Sequence, residues 1–231
     1  MRRKKTLAKV VASALSLAMI VGCSSPASSS SSSASSQTGE DASATTVEDG
    51  YIEAPYTADA SQTPTEYLAP VFYENEDGPT ISVIYNGVIV EGGQYFRDSN
   101  NNQELDPYED WRLTTDERVA DLLGKMTQEQ RIGLLANALM CSPAATTADE
   151  VYDENGEVIL DQLVGITEDS SSYPASGVLE DYTRSGVIRK DTDTETGALY
   201  NNALNMLAEY VGATKGEVTI PYMLISNPMN S

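Results

Sequence analysis

Asp98, Asn100, Asn102, Glu104, Asp106 and Glu109 occupy places one, three, five, seven, nine and twelve of a twelve-residue run, DSNNNQELDPYE. Oxygen-bearing side chains on alternate residues, closed by a carboxylate at the twelfth place, form the loop pattern that wraps a calcium ion. In that pattern Glu104 contributes its backbone carbonyl. Gln103 stands at the sixth place, where glycine normally makes the sharp turn, and a left-handed non-glycine residue costs about 1 kcal/mol. The expected calcium site is therefore weak. The competing reading is an acidic turn whose Asp and Asn side chains hydrogen-bond nearby backbone.

The flanking sequence must position this loop. Ile81–Tyr85 and Val88–Glu91, joined by Asn86-Gly87, read as a β-hairpin around a type I′ turn ended by Gly92-Gly93. Because strand-like residues precede Asp98, the loop is EF-hand-like but isolated. Pro107 suits the first turn of an exiting helix. Thr114-x-x-Glu117 and Thr127-x-x-Gln130 are capping boxes that open two helices. Val119, Leu122, Leu123 and Met126 on the first, and Ile132, Leu135 and Leu139 on the second, recur at helical spacing and are expected to face the core.

The stretch from Phe96 to Leu139 also carries a resemblance. FRDSNNNQELDPYEDWRL followed by RVADLLGKMTQEQRIGLL resembles the entry segment of glycoside hydrolase family 3, the β-glucosidase-like enzymes. There a D-x-N-x-N-G-x-L-D-P-Y-E-D-W loop leads into a helix ending L-x-x-M-T-x-E-E-K-I-G. A looser similarity, NNALNMLAEY and VTIPYMLISNP, lies near the end of the chain. The resemblance implies a (β/α)8 barrel, and retaining hydrolysis of β-linked glucosides or xylosides with no cofactor for the chemistry. At the end of the second barrel strand many relatives carry a sugar-holding aspartate. Asn227 takes that place here, as the candidate sugar contact or as a turn residue before Pro228.

Residues 1–23 read as a lipoprotein signal peptide. Arg2, Arg3, Lys4 and Lys5 precede an apolar run that ends Ile20-Val21-Gly22-Cys23. The run is shorter than the roughly 20 residues a spanning helix needs, and Cys23 is the expected lipidation site. The chain is expected to be exported, facing outside the cytoplasm and held to the membrane by lipid alone. Removing the segment leaves nine basic residues against 35 acidic ones, a net charge of −26. That balance excludes nucleic acid as a partner, because phosphates need lysine and arginine. Only Cys141 remains beyond Cys23, which precludes an internal disulfide, and the chain has no histidine.

Residues 24–64, rich in serine, alanine and threonine, read as a disordered tether, and residues 65–231 as the folded domain. Cys141 to Asp181 is polar and without period, apart from a short hairpin at Asn155-Gly156, and is expected to be a surface excursion. Strand 185–189, helix 196–212 and strand 217–226 then form a βαβ unit. The expected fold class is α/β: the start of an incomplete (β/α)8 TIM-type barrel behind a small hairpin, the acidic loop and two helices.

Such a barrel takes about 250 residues. Within 231 residues no carboxylate pair matches the family's nucleophile and acid/base, so no catalytic residue is assigned. The expectation is the N-terminal part of a glycoside hydrolase, inactive by itself. The alternative is a non-catalytic calcium-binding surface lipoprotein.

Overall fold

The computed structural model describes residues 48–136, 142–165, 174–188 and 192–226. Strands β1 (Gly50–Ile52), β4 (Gly87–Glu91) and β5 (Gln94–Asp98) form an antiparallel sheet in the order β1-β4-β5. Strands β2 (Val71–Tyr73) and β3 (Ile81–Val83) pair antiparallel beside it. β1 lies inside the stretch assigned by composition to the tether, and its Tyr51 pairs with Ile89 of β4.

The hairpin of this region is not the expected one. β3 and β4 do not pair across Asn86-Gly87. Instead β4 turns into β5 through Gly92 and Gly93, both at positive φ (60° and 74°), with Glu91 opposite Gln94. Two consecutive left-handed residues are what a type I′ turn requires. The segment 84–86 is claimed by other partners: the backbone N–H groups of Ile84, Tyr85 and Asn86 all donate to Glu209 Oε2, at 2.7, 2.8 and 3.2 Å. Gly87 donates its N–H to Asn101 Oδ1 at 2.9 Å. A side chain from far along the sequence thus outcompetes a local turn signal.

Helices α1 (Thr115–Lys125) and α2 (Gln128–Gly133) carry both expected capping boxes. Their apolar stripes are only partly inward. Leu122 and Met126 pack with Tyr108 and Val218. Val119 and Leu123 are nearly half exposed, however, and Ile132 and Leu135 are 59% and 87% exposed. Helical spacing fixes which residues share a face, not what covers it. Leu139 lies outside the described residues. The exiting helix expected at Pro107 is a single turn, in which Glu109 and Asp110 donate to the Asp106 carbonyl.

The polar stretch after Cys141 supplies core instead of a surface excursion. Helices α3 (Ala148–Val151), α4 (Leu160–Val164) and α5 (Pro174–Leu179) bury Val151, Leu160, Leu163, Val164 and Val178. The turn at Asn155-Gly156 forms as read, with Gly156 at φ 79° and a bridge between Tyr152 and Val158. Helices this short give no periodic signal, so the apolar residues looked scattered.

Strand β6 (Ser185–Ile188), helix α6 (Thr194–Lys215) and strand β7 (Met223–Ser226) follow, with β6 and β7 parallel. Asp193 caps α6 by accepting the Thr196 N–H at 2.7 Å, and Gly216 ends it at φ 65°. α6 is the centre of the main core: Tyr200, Leu204, Met206 and Leu207 are fully buried against α4 and α5. Burying side chains of this size contributes about 1.5–3 kcal/mol each. The last strand is shorter than expected, because residues 217–222 pair elsewhere. Thr219 donates its N–H to the Ser99 carbonyl at 2.7 Å, and Gln130 Nε2 donates to the Val218 carbonyl at 2.9 Å. The protein is thus mixed α/β with small sheets, and no barrel closes among the described residues.

Candidate functional site

The acidic loop hangs from the end of β5. Trp111 stacks on Phe96 with ring centroids 5.4 Å apart and donates its indole N–H to the Tyr95 carbonyl at 3.1 Å, pinning the exit of the loop to the strand that enters it. Asp98 is fully buried and accepts the N–H groups of Asn102 and Gln103 at 3.1 and 2.8 Å. Gln103 has φ 65°, the left-handed turn its place in the pattern demands. Glu109 is also buried: Oε1 accepts the Ser99 N–H at 2.7 Å and Oε2 the Asp106 N–H at 3.0 Å. The two ends of the loop are therefore clamped by its first and last carboxylates.

Asp106 closes the middle. Its Oδ2 accepts from Asn100 Nδ2 and Asn102 Nδ2 at 2.8 and 3.1 Å, and its Oδ1 meets Lys125 Nζ at 2.7 Å. Glu104 is exposed and donates its N–H to Asn102 Oδ1 at 2.8 Å. Burial pushes the Glu109 carboxyl up to about 7, with the neighbouring Asp98 charge adding to the effect and the loop N–H groups opposing it. The Tyr51 hydroxyl, packed over Gly87, is likewise held up by burial first and by Asp98 next. These are signs of negative charge gathered with little solvent.

The donor set (three carboxylates, two amide oxygens and a carbonyl) is hard and all-oxygen, the chemistry calcium takes, and the backbone path has the required turn. The side chains are committed otherwise in this state. Asn100 and Asn102 turn their NH2 groups toward Asp106, Lys125 supplies a cation, and among the described residues no three acidic, His or Cys side chains form a metal-holding group. To take an ion, the loop must give up the Lys125 contact and turn both amides.

Asn227 and Cys23 lie outside the described residues. Asn227 directly follows β7, whose Ser226 is in register with Ile188 of β6.

No known family profile matches the chain. A curated protein does. The chain is 32% identical over 149 residues to a periplasmic beta-glucosidase/beta-xylosidase of Dickeya chrysanthemi. The matched region is 62% of this chain and 19% of that protein, so the chain spans about a fifth of the relative's length. A glycoside hydrolase relative is thus established, at a distance and over part of its length.

Three residues that position the site had escaped the sequence reading. Asn101 latches the loop to the preceding segment, accepting from Gly87 and donating to the Tyr85 carbonyl at 3.0 Å. Lys125 carried no signal of its own, because nothing in the spacing ties it to Asp106. Glu209 carried one faint signal, an acid in a helix whose apolar residues extend all round it.

Proposed function

We propose that this chain works within an exported glycoside hydrolase, of the β-glucosidase type of family 3, that cleaves β-linked glucosides or xylosides with retention. The similarity to the Dickeya protein over 149 residues carries this reading, and the loop and helix motifs from Phe96 onward agree with it. Retention needs two carboxyl groups about 5–5.5 Å apart, and the reading assigns neither to a residue of this chain. The βαβ unit of β6, α6 and β7 is taken as the opening of the barrel, and Asn227 as a sugar contact at the carboxyl end of its second strand.

Two further proposals accompany it. Cys23 is lipidated, which anchors the protein on the outer side of the membrane that exports it. Asp98, Asn100, Asn102, Asp106 and Glu109, with the Glu104 carbonyl, hold calcium weakly; the ion would brace the loop and takes no part in the hydrolysis.

The test is an assay of aryl β-glucosides and β-xylosides with the product of the whole reading frame and with the 231-residue chain side by side. The reading expects turnover by the former and none by the latter. A full product that cleaves neither substrate sinks it.

A further inference from the structure

A cavity of about 430 Å³ separates the β3–β5 edge, the turn after the acidic loop, α1 and the segment leading into β7. Its volume lies within the range of small-molecule sites. Two guanidinium groups face it, those of Arg97 and Arg118. Arg97 is balanced: it donates to the Ser82 carbonyl, and its Nη1 stands 4.0 Å from Glu209 Oε1. Arg118 is held less closely. Its Nε donates to the Tyr108 carbonyl at 3.1 Å, among the described residues no carboxylate lies within ion-pair distance of it, and the Asp110 charge that reaches it is already paired with Arg112. The one carboxylate in the lining, Glu109, already accepts a backbone N–H on each oxygen.

The cavity therefore offers a positive fork with open donors, inside a chain of net charge −21. Guanidinium is planar and pairs bidentately with carboxylate, which is its preferred partner geometry. The remaining walls combine hydroxyl-bearing residues (Thr80, Ser82) with apolar surface (Pro221, Ile220) and Trp111, a mixture that suits a compact hydroxylated body better than an alkyl one. We infer that this cavity binds a small hydroxylated carboxylate of sugar-acid size, held by Arg118. The site lies beside the segment entering β7, not at the carboxyl end of β7 that Asn227 follows, and does not depend on the proposed hydrolase activity. A ligand here would touch the β3–β5 edge, α1 and the segment before β7 together, and so would brace these elements against one another.

Trp111 is the only tryptophan in the chain and lines the cavity, so its emission reports occupancy. The full chain is titrated with D-glucuronate, followed by tryptophan fluorescence and calorimetry, with glucose as the uncharged twin. Saturable glucuronate binding at millimolar concentration or tighter is expected, weakening as salt is added, with glucose weaker by roughly ten-fold or more, as loss of a charge-assisted contact dictates. Arg118→Gln should weaken binding by a similar factor, and Arg118→Lys, which keeps the charge but not the fork, should fall between. Arg118 is partly exposed, and an unchanged thermal transition in both variants identifies the loss as one of binding. Absence of glucuronate binding, equal binding of glucose, or wild-type affinity in Arg118→Gln overturns the inference.

Discussion

Lys125 Nζ lies 2.7 Å from Asp106 Oδ1, so the last turn of α1 delivers a cation to the centre of the acidic loop. The pair is partly solvated, with the lysine side chain 32% exposed, and such pairs are worth about 1 kcal/mol or less. Lys125 thus holds the loop lightly and competes with any ion that would replace it. Lys125→Gln should cost the calcium-free protein no more than about 1 kcal/mol while strengthening calcium binding measured by calorimetry. Glu109→Ala should abolish that binding. Equal calcium affinity with and without Lys125 would remove the competition from the account.

Glu209 organises the fold from the other end of the sequence. Glu209→Ala leaves three buried N–H groups without an acceptor, at about 1–3 kcal/mol each, so a loss of at least about 3 kcal/mol in chemical denaturation is expected. A loss below about 1 kcal/mol would mean that the segment 84–86 finds other partners.

The same carboxyl sets a pH dependence. Burial raises its pKa above the ordinary 4.5, opposed by Arg97 and the three N–H groups. A raised carboxyl holds its proton longer folded than unfolded. Its contribution to stability is therefore full at low pH and declines as pH rises from about 4.5 through the folded value. Glu209→Gln should flatten that slope in urea titrations run across the acidic range; an unchanged slope would assign it to another group.

Two helical glycines should respond to alanine with opposite signs. At Gly124 in α1 an added Cβ meets nothing within 4 Å, so Gly124→Ala should stabilise by about 0.5–1 kcal/mol. At Gly212 in α6 the Cβ would stand 2.3 Å from Thr219 Oγ1 and 3.1 Å from the Glu217 carbonyl. There Gly212→Ala should destabilise by about 1–3 kcal/mol. Thermal denaturation of the pair checks both, and matching signs would contradict the close approach of α6 to the segment before β7.

What the sequence made legible was local. The capping boxes at Thr114 and Thr127, the left-handed Gln103, the turn at Gly156 and the long α6 are each fixed by neighbours within a few residues, and each stands as read. The misreadings arise where local pattern does not show what a segment meets. Asn86-Gly87 has turn chemistry, but Glu209 takes the Asn86 N–H from over a hundred residues away and Asn101 takes the Gly87 N–H. Ile132 in α2 and Leu135, two residues past its end, are both left exposed by the described residues. Lys125, nineteen residues beyond Asp106, entered the loop unannounced because charge spacing along the chain does not show which ions meet.

For export, Cys23→Ala should move the protein from the membrane fraction to the soluble one, and metabolic labelling with a fatty acid should be lost with it. Retention of the variant in membranes would discard the lipid anchor and leave the apolar run before Cys23 as an ordinary leader.

The proposed hydrolase is tested most directly by trapping its covalent intermediate. The product of the full reading frame is incubated with a slowly released 2-fluoro β-glucoside and a 2-fluoro β-xyloside, and the intact mass is measured beside that of the 231-residue chain. A retaining glycosidase forms a glycosyl-enzyme ester, so the full product should gain the mass of one fluorosugar on a carboxylate outside this chain, and the chain alone should gain none. An unlabelled full product that also leaves aryl β-glucosides and β-xylosides intact would contradict the account.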